Sequence, residues 1–290
     1  MPDLQRLRNV SLLGDTAWRH LAEDPLLLAV QASRRLPGSA RAAMSRLVGV
    51  GAGPTGVRRA LAEFVADRPS AAARALAAVV PGSAPGRRMA AELAVQLGDT
   101  ALVPGGAEAA GPSVRARELW SRGHLFRAVH VLDGAPRARA QRARLRSEMA
   151  TMSPGFALPA VAPSPAWSGP ARGARPRVLH VLTNSLPRTQ SGYAVRSHAV
   201  LRSQIAAGIE TRAVTRIGYP VTVGLVGAAR EDQVDGVAYR RLLPARLAPT
   251  PAARLVQMTR LLAREVEDFR PDVLHTTTNY QNALVTRAVA

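Results

Sequence analysis

The spacing of apolar residues differs between the two halves of the chain. Up to residue 150, short segments rich in Ala and Leu alternate with Pro and Gly, and their apolar residues recur at helical spacing. This pattern predicts helices over residues 25–36, 39–48, 57–67, 70–79, 87–97, 113–122, 125–132 and 137–150. We therefore expect a helical array over residues 1–150.

From residue 177 onwards, short apolar runs alternate with helical segments, and this alternation predicts a parallel sheet with helices on both faces. The predicted strands cover Arg177–Thr183, Ile209–Arg216, Gly236–Leu243 and Asp272–His275, and the predicted helices cover Gly192–Ala207, Ala252–Phe269 and a segment from Tyr280. Residues 177–290 should therefore form a Rossmann-like α/β domain. The fold class expected for the chain is a helical array followed by α/β.

A Pro-rich segment separates the two patterns. Residues 151–176 have a Pro every few residues and almost no charge before Arg172. Such a composition is typical of a semi-extended linker. We expect a helical array over 1–150, a linker over 151–176 and an α/β domain over 177–290.

Composition restricts the chemistry of the chain. It contains no Cys, which excludes disulfides, zinc–thiolate sites, iron–sulfur clusters and cysteine nucleophiles. The net charge is +19, and all 39 basic residues are Arg, a bias that GC-rich coding produces. These residues are spread along the chain, and aromatic residues make up only 4%. Attraction to anionic partners, including membrane surfaces, follows from the charge, but specific nucleic-acid binding does not.

The chain has no apolar stretch that approaches the length of about 20 residues needed to span a bilayer. Its first residues also lack the apolar core of a signal peptide. We expect a cytoplasmic protein, in peripheral contact with the inner face of the membrane.

The segment Gly51–Gly56 matches the dinucleotide-binding pattern G-x-G-x-x-G. That site requires a preceding strand and an acidic residue about 20 residues further on. Here the preceding residues have a helical pattern, and no acidic residue occurs between Asp67 and Glu92. We interpret the motif as a turn between helices, and we expect no bound cofactor.

Polar loops follow two of the predicted strands at the same edge of the sheet. Asn184–Gly192 ends with Ser191 and Gly192 at the start of a helix, where free N–H groups and the helix dipole favour an anion. His275–Tyr280 carries His and Thr side chains that suit sugar hydroxyls. A capped helix behind a turn explains either loop equally well. No cluster of His and carboxylates has the spacing of a metal site.

The stretch RVLHVLTNSLPRTQSGYAVRSHAVLRSQIAAGIETRAVTR, together with RPDVLHTTTNY, resembles the N-terminal half of a family 4 glycosyltransferase of the GT-B fold. The resemblance covers Arg177 to the end of the chain. It implies retaining transfer of a glycosyl group from a nucleotide sugar to an acceptor hydroxyl. It also implies that Ser191 and Gly192 approach the donor phosphates. The residues implied on the acceptor side are Tyr193, Arg196, His275, Thr277, Asn279 and Tyr280.

This sequence departs from the family pattern at three positions. Ser191 replaces the first residue of a Gly-Gly pair, Arg196 stands where a helix His is frequent, and Thr277 replaces the second His of the strand motif. No catalytic residue is therefore assigned. The donor-binding domain of the family does not occur within the 290 residues. The resemblance thus implies a Rossmann-like domain truncated at its C-terminus and a chain that is inactive alone.

The helical region resembles a degenerate tetratricopeptide (TPR) array, because Gly123 and Ala128 lie where two helices of such a repeat cross. The partners implied are a nucleotide-sugar donor, a sugar or lipid-linked acceptor, and a protein bound by the array. The alternative is a non-catalytic scaffold, in which the array binds a protein and the α/β domain is a remnant. An NAD-dependent oxidoreductase depends on Gly51–Gly56 alone and is disfavoured.

Overall fold

The computed structural model describes residues 2–23, 37–77, 82–106, 108, 110–161 and 175–290. The predicted helix over 25–36 and residues 162–174 of the predicted linker lie outside the described residues. Contacts divide the chain into two compact units, one of residues 1–16 with 147–290 and the other of residues 17–146. We call them the sheet unit and the helical unit. Residues 1–16, which the sequence pattern assigns to the array, thus belong with the sheet.

The first half of the described chain is helical, as the pattern predicts. Its α-helices are α1 (Pro2–Glu23), α2 (Gly38–Gly49), α3 (Val57–Val65), α4 (Pro69–Ala77), α5 (Ala84–Leu97), α6 (Pro112–Ser121), α7 (Leu125–His130) and α8 (Arg139–Met152). The ends of α5 follow from local chemistry. Ser83 Oγ accepts a hydrogen bond from the Gly86 N–H at 3.2 Å, and Gly98 ends the helix with φ 76°. Helix α1 was not predicted.

The helical unit combines a core of small apolar side chains with three buried glutamates. Ala60, Leu76 and Leu93 belong to that core. Glu63, Glu92 and Glu118 are buried, and each pairs with an Arg: Arg68 at 2.7 Å, Arg117, and Arg115, respectively. Burial acts to raise the pKa of Glu118, but hydrogen bonds from Thr100 and Arg115 outweigh it and hold the pKa below its usual value. The buried carboxylates are therefore compensated.

The sheet unit contains five strands in the order β3-β4-β2-β1-β5. Its elements are β1 (Arg177–Leu182), α9 (Gly192–Ala206), β2 (Glu210–Thr215), β3 (Glu231–Val234), β4 (Val237–Arg241), α10 (Pro251–Phe269), β5 (Val273–Thr276) and α11 (Tyr280–Val289). Strands β4, β2, β1 and β5 are parallel, as predicted.

The prediction of an entirely parallel sheet is wrong at one edge. Strand β3 pairs antiparallel with β4 and was not predicted. The two strands form a hairpin whose turn residues, Asp235 and Gly236, have φ values of 48° and 78°. Positive φ at both positions is what a tight hairpin turn requires, and it explains the Asp-Gly pair.

Each face of the sheet has its own apolar core. On one face, Leu255 and Leu262 of α10 and Val285 of α11 pack with Val181 and Val214 of the strands. On the other, Leu201 of α9 is in a cluster with Leu182, Ala213 and Tyr239. The central strands are therefore covered on both faces. Strand β5 lies at the edge of the sheet, and its Val273 side chain is exposed.

The beginning of the chain and the segment after α8 also pack on the sheet unit. Leu12 of α1 and Leu158 lie in the same core as α10 and α11. Asn9 Nδ2 donates to the carbonyl oxygens of Val226 and Ala228 at 2.8 and 2.9 Å. No helix among the described residues is long and apolar enough to cross a membrane.

Candidate functional site

The site is built at the carboxyl edge of β1, where the chain enters α9. Ser191 Oγ caps the helix by accepting a hydrogen bond from the Ala194 N–H at 3.2 Å. The N–H groups of Gly192 and Tyr193, in the first turn, have no carbonyl of the helix to bond. A Cβ atom built on Gly192 meets nothing within 4 Å, and the φ of this residue is not in the left-handed region. The backbone does not require Gly at this position, and the space beside it is open.

A network of ion pairs around the buried Arg241 holds the loop between β1 and α9. The Arg241 side chain is 0% exposed and contacts Asp232 at 2.8 Å. It also donates to Ser185 Oγ at 2.7 Å and to the Leu186 carbonyl at 3.0 Å. Arg188 of the loop pairs with the same Asp232 at 2.7 Å. Burial acts to raise the pKa of Asp232, but hydrogen bonds from Arg188 and Arg241 outweigh it and lower the pKa.

Tyr219 fixes the same loop from the β2 side. Its hydroxyl donates to the Ser185 carbonyl at 3.0 Å and lies 2.7 Å from Thr189 Oγ1. Tyr219 itself is buried. The backbone that carries Ser191 is therefore positioned by side chains from β3, β4 and the segment after β2.

Tyr193 brings the two polar loops together. Its hydroxyl accepts from the Thr183 N–H at 3.4 Å and from Thr277 Oγ1 at 3.4 Å. Asn282 of α11 adds a second connection, since its Nδ2 donates to Thr183 Oγ1 at 3.1 Å. The loop after β1 and the loop after β5 thus meet at one edge of the sheet, as the parallel strand order requires.

His275 lies inside β5 rather than in the loop that follows. Its Nδ1 is 2.9 Å from Nδ1 of His180, whose Nε2 is 2.7 Å from Gln204 Oε1. Burial lowers the pKa of His180 to about 4, so this ring is neutral at pH 7. If Gln204 accepts through Oε1, His180 carries its proton on Nε2 and accepts from His275 through Nδ1. His275 therefore lies within the sheet, on the face that α9 covers, and not among the loop residues of the site.

Of the other predicted residues, Asn279 and Tyr280 form contacts within the protein, whereas Arg196 is exposed. Asn279 caps α11, since its Oδ1 accepts from the Gln281 N–H at 2.7 Å. The Tyr280 hydroxyl lies 3.2 Å from Thr151 Oγ1. Arg196 is exposed, and within the described residues its guanidinium forms no ion pair. Of the residues predicted on the acceptor side, Tyr193 and Thr277 are brought into contact.

Sequence reasoning assigned no role to two polar residues at the same edge, Asn184 and Arg216. Arg216 follows β2 directly, and its N–H donates to the Leu182 carbonyl at 2.8 Å. Its guanidinium lies 5.7 Å from the centre of the Tyr219 ring, and no carboxylate in the described part of the chain pairs with it. Burial lowers the pKa of Arg216. Asn184 Oδ1 is buried without a hydrogen-bond partner. Their position directly after strands is the signal that identifies such residues.

The arrangement can bind an anion and hydroxyl groups. Free N–H groups and Arg216 supply positive potential, and Tyr193, Thr277 and Asn184 supply hydrogen-bonding groups. Among the residues that the structure describes, no three His, Asp or Glu side chains are grouped to hold a metal ion. Comparison with known proteins gives no match, since no family model, no curated protein and no solved structure matches the chain.

Proposed function

We propose that the sheet unit is the acceptor-side domain of a retaining, nucleotide-sugar-dependent glycosyltransferase of GT-B type. The helical unit is, in this proposal, a TPR-like array that binds a protein partner. The substrates are a nucleotide-sugar donor and a sugar or lipid-linked acceptor, and the reaction transfers a glycosyl group to an acceptor hydroxyl.

The observation that carries the proposal is the meeting of two loops at Tyr193. A phosphate-binding turn and a hydroxyl-binding loop are of use to a glycosyltransferase only when they lie at one site. The Tyr193 hydroxyl is within hydrogen-bonding distance of both Thr183 and Thr277. Loops at the carboxyl ends of parallel strands are also where open α/β sheets bind ligands.

Each group has a role that follows from its charge. The N–H groups of Gly192 and Tyr193, with the positive end of the α9 dipole, face the developing negative charge of the departing diphosphate. Arg216 adds a cation without a carboxylate partner. The hydroxyls of Tyr193 and Thr277 bind the sugar hydroxyls of the acceptor. Arg196 is exposed on the second turn of α9 and is free to bind the acceptor from that side.

Binding of inorganic pyrophosphate to the full 290-residue chain tests the proposal, because the diphosphate is the part of the donor that the α9 turn contacts. Titration calorimetry should give heat of binding for pyrophosphate. Gly192→Val fills the open space beside the free N–H groups and should weaken that binding about tenfold. Gly38→Val is the matched control, because Gly38 also opens a helix and also has nothing within 4 Å of its built Cβ.

The two variants separate the outcomes. If Gly192→Val weakens binding and Gly38→Val does not, the phosphate role of the α9 turn is supported. If pyrophosphate does not bind the wild-type chain, or if both variants bind it equally well, the glycosyltransferase proposal is wrong. The scaffold alternative then takes its place.

A further inference from the structure

Helix α1 exposes a stripe of large apolar side chains on one side, interrupted between Val10 and Trp18 by Ser11, Gly14 and Ala17. Successive residues of an α-helix are rotated by about 100°, so its exposed apolar side chains fall within about one third of the circumference. These are Leu4, Leu7, Val10, Trp18 and Leu21, with exposed fractions of 62, 66, 56, 69 and 46%. A stripe of this size on one helix is unusual for a surface that only water contacts.

The opposite side of α1 is fixed to the sheet unit. Leu12 is fully buried, and Asn9 donates to the carbonyls of Val226 and Ala228. Gln5 Nε2 donates to Asn9 Oδ1 at 2.8 Å, and Gln5 Oε1 accepts from Arg230 at 2.9 Å. These bonds set the rotation of this part of the helix, so that Leu4, Leu7 and Val10 point away from the protein.

Two cations lie beside the stripe. Arg6 flanks it on one side and Arg8 on the other, and both side chains are exposed. Neither forms an ion pair within the described residues. Apolar side chains that include a Trp and are bordered by Arg are the pattern of a helix that lies in the interface of a bilayer.

We propose that α1 binds the surface of an anionic lipid bilayer. The helix lies parallel to the surface, because its buried side is held by the protein. Leu4, Leu7, Val10, Trp18 and Leu21 enter the boundary between headgroups and acyl chains, while Arg6 and Arg8 contact lipid phosphates. The guanidinium groups of Arg6 and Arg8 beside the stripe favour an anionic surface over a neutral one. The proposal is independent of the glycosyltransferase proposal.

Flotation with vesicles tests this inference on the full chain. The wild type should float with vesicles of phosphatidylglycerol and phosphatidylcholine in equal parts, and far less with phosphatidylcholine alone. Leu7→Glu should lower the bound fraction about tenfold, because a carboxylate then enters the apolar layer. Leu47→Glu is the matched control, since Leu47 of α2 is 74% exposed and the charge change is the same. The double variant Arg6→Ala, Arg8→Ala should lose most of the preference for anionic vesicles.

The result expected is strong loss for Leu7→Glu and binding within about twofold of wild type for Leu47→Glu. Equal losses for the two variants would show that only the overall charge matters, and would overturn the proposal. Light scattering distinguishes binding to a bilayer from binding to a second copy of the chain. If Leu7→Glu converts a dimer to a monomer and leaves vesicle binding unchanged, α1 binds a second copy of the chain and not a bilayer.

Discussion

At the residue scale, strand direction decided which site residues could be predicted. Tyr193 and Thr277 were implied by the family resemblance, and the rule that parallel strands end at one edge explains the contact observed between them. His275 was predicted at the end of the strand, where the polar segment begins, but its pairing with His180 sets it inside β5, which continues to Thr276. Arg216 was missed because the predicted strand Ile209–Arg216 included it, whereas β2 ends at Thr215.

Arg241 is the residue on which the position of the α9 loop most depends. Arg241→Met should lower the free energy of unfolding by about 3 kcal/mol, because it removes the hydrogen bonds to Ser185 Oγ and the Leu186 carbonyl and leaves part of Asp232 unpaired. Denaturant unfolding measures the change. Arg196→Met is the control, since this exposed residue should shift stability by no more than about 0.5 kcal/mol. Equal effects would contradict the role given to the network.

His180 gives the stability a defined pH dependence. Its pKa is about 4 in the folded state and 6.5 in its ordinary state, so the unfolded chain binds the proton more tightly. The contribution of neutral His180 to the free energy of unfolding is fully present above pH 6.5. It is lost as the pH falls towards 4, and the total loss is about 3 kcal/mol. His180→Leu should remove this part of the slope between pH 6.5 and 4. An unchanged slope in the variant would show that other groups titrate there.

At the scale of elements, the sequence predicted the helices and strands whose inward residues are mainly apolar. It did not predict α1 and β3, whose inward residues include several polar side chains. Helix α1 was missed because its inward face carries the polar residues Gln5 and Asn9. The buried Asn9 side chain is satisfied by hydrogen bonds to carbonyl oxygens more than two hundred residues away in the chain. Strand β3 was missed because Glu231, Asp232 and Gln233 give no apolar alternation. Its acids instead pair with Arg240 and Arg241 of β4.

The hairpin between β3 and β4 depends on its turn. Gly236 has φ 78°, where a side chain is strained, so Gly236→Ala should cost about 1 kcal/mol of stability. Gly227→Ala is the comparison, because Gly227 has no left-handed φ and its built Cβ meets nothing within 4 Å. Thermal unfolding of both variants measures the difference. A smaller loss for Gly236→Ala than for Gly227→Ala would mean that the turn conformation is wrong.

At the scale of the whole molecule, the order of elements was predicted better than the division into units. Helices followed by βαβ alternation appear as expected, since both periodicities are local properties. The division was not predictable from them, because residues 1–16 join the sheet unit through contacts with distant segments. The antiparallel edge of the sheet likewise depends on pairing between charged side chains.

The net charge of the whole molecule predicts how it binds nucleic acid. A net charge of +19 without a basic block predicts binding to duplex DNA that depends on salt and not on sequence. Two duplexes of unrelated sequence should bind with affinities equal to within about twofold, and both affinities should fall steeply with added salt. Fluorescence anisotropy measures both. A strong preference for one sequence would show that the Arg residues form a specific site.

The claim that most needs testing is that the edge formed by β1, α9 and β5 binds the diphosphate of a nucleotide sugar. Amide chemical shifts of the ¹⁵N-labelled chain, followed during titration with inorganic pyrophosphate, test it directly. The largest shifts should occur at Gly192, Tyr193, Thr183 and Thr277, with little change in residues 38–146. Shifts confined to the helical unit, or spread over exposed Arg residues alone, would contradict the site.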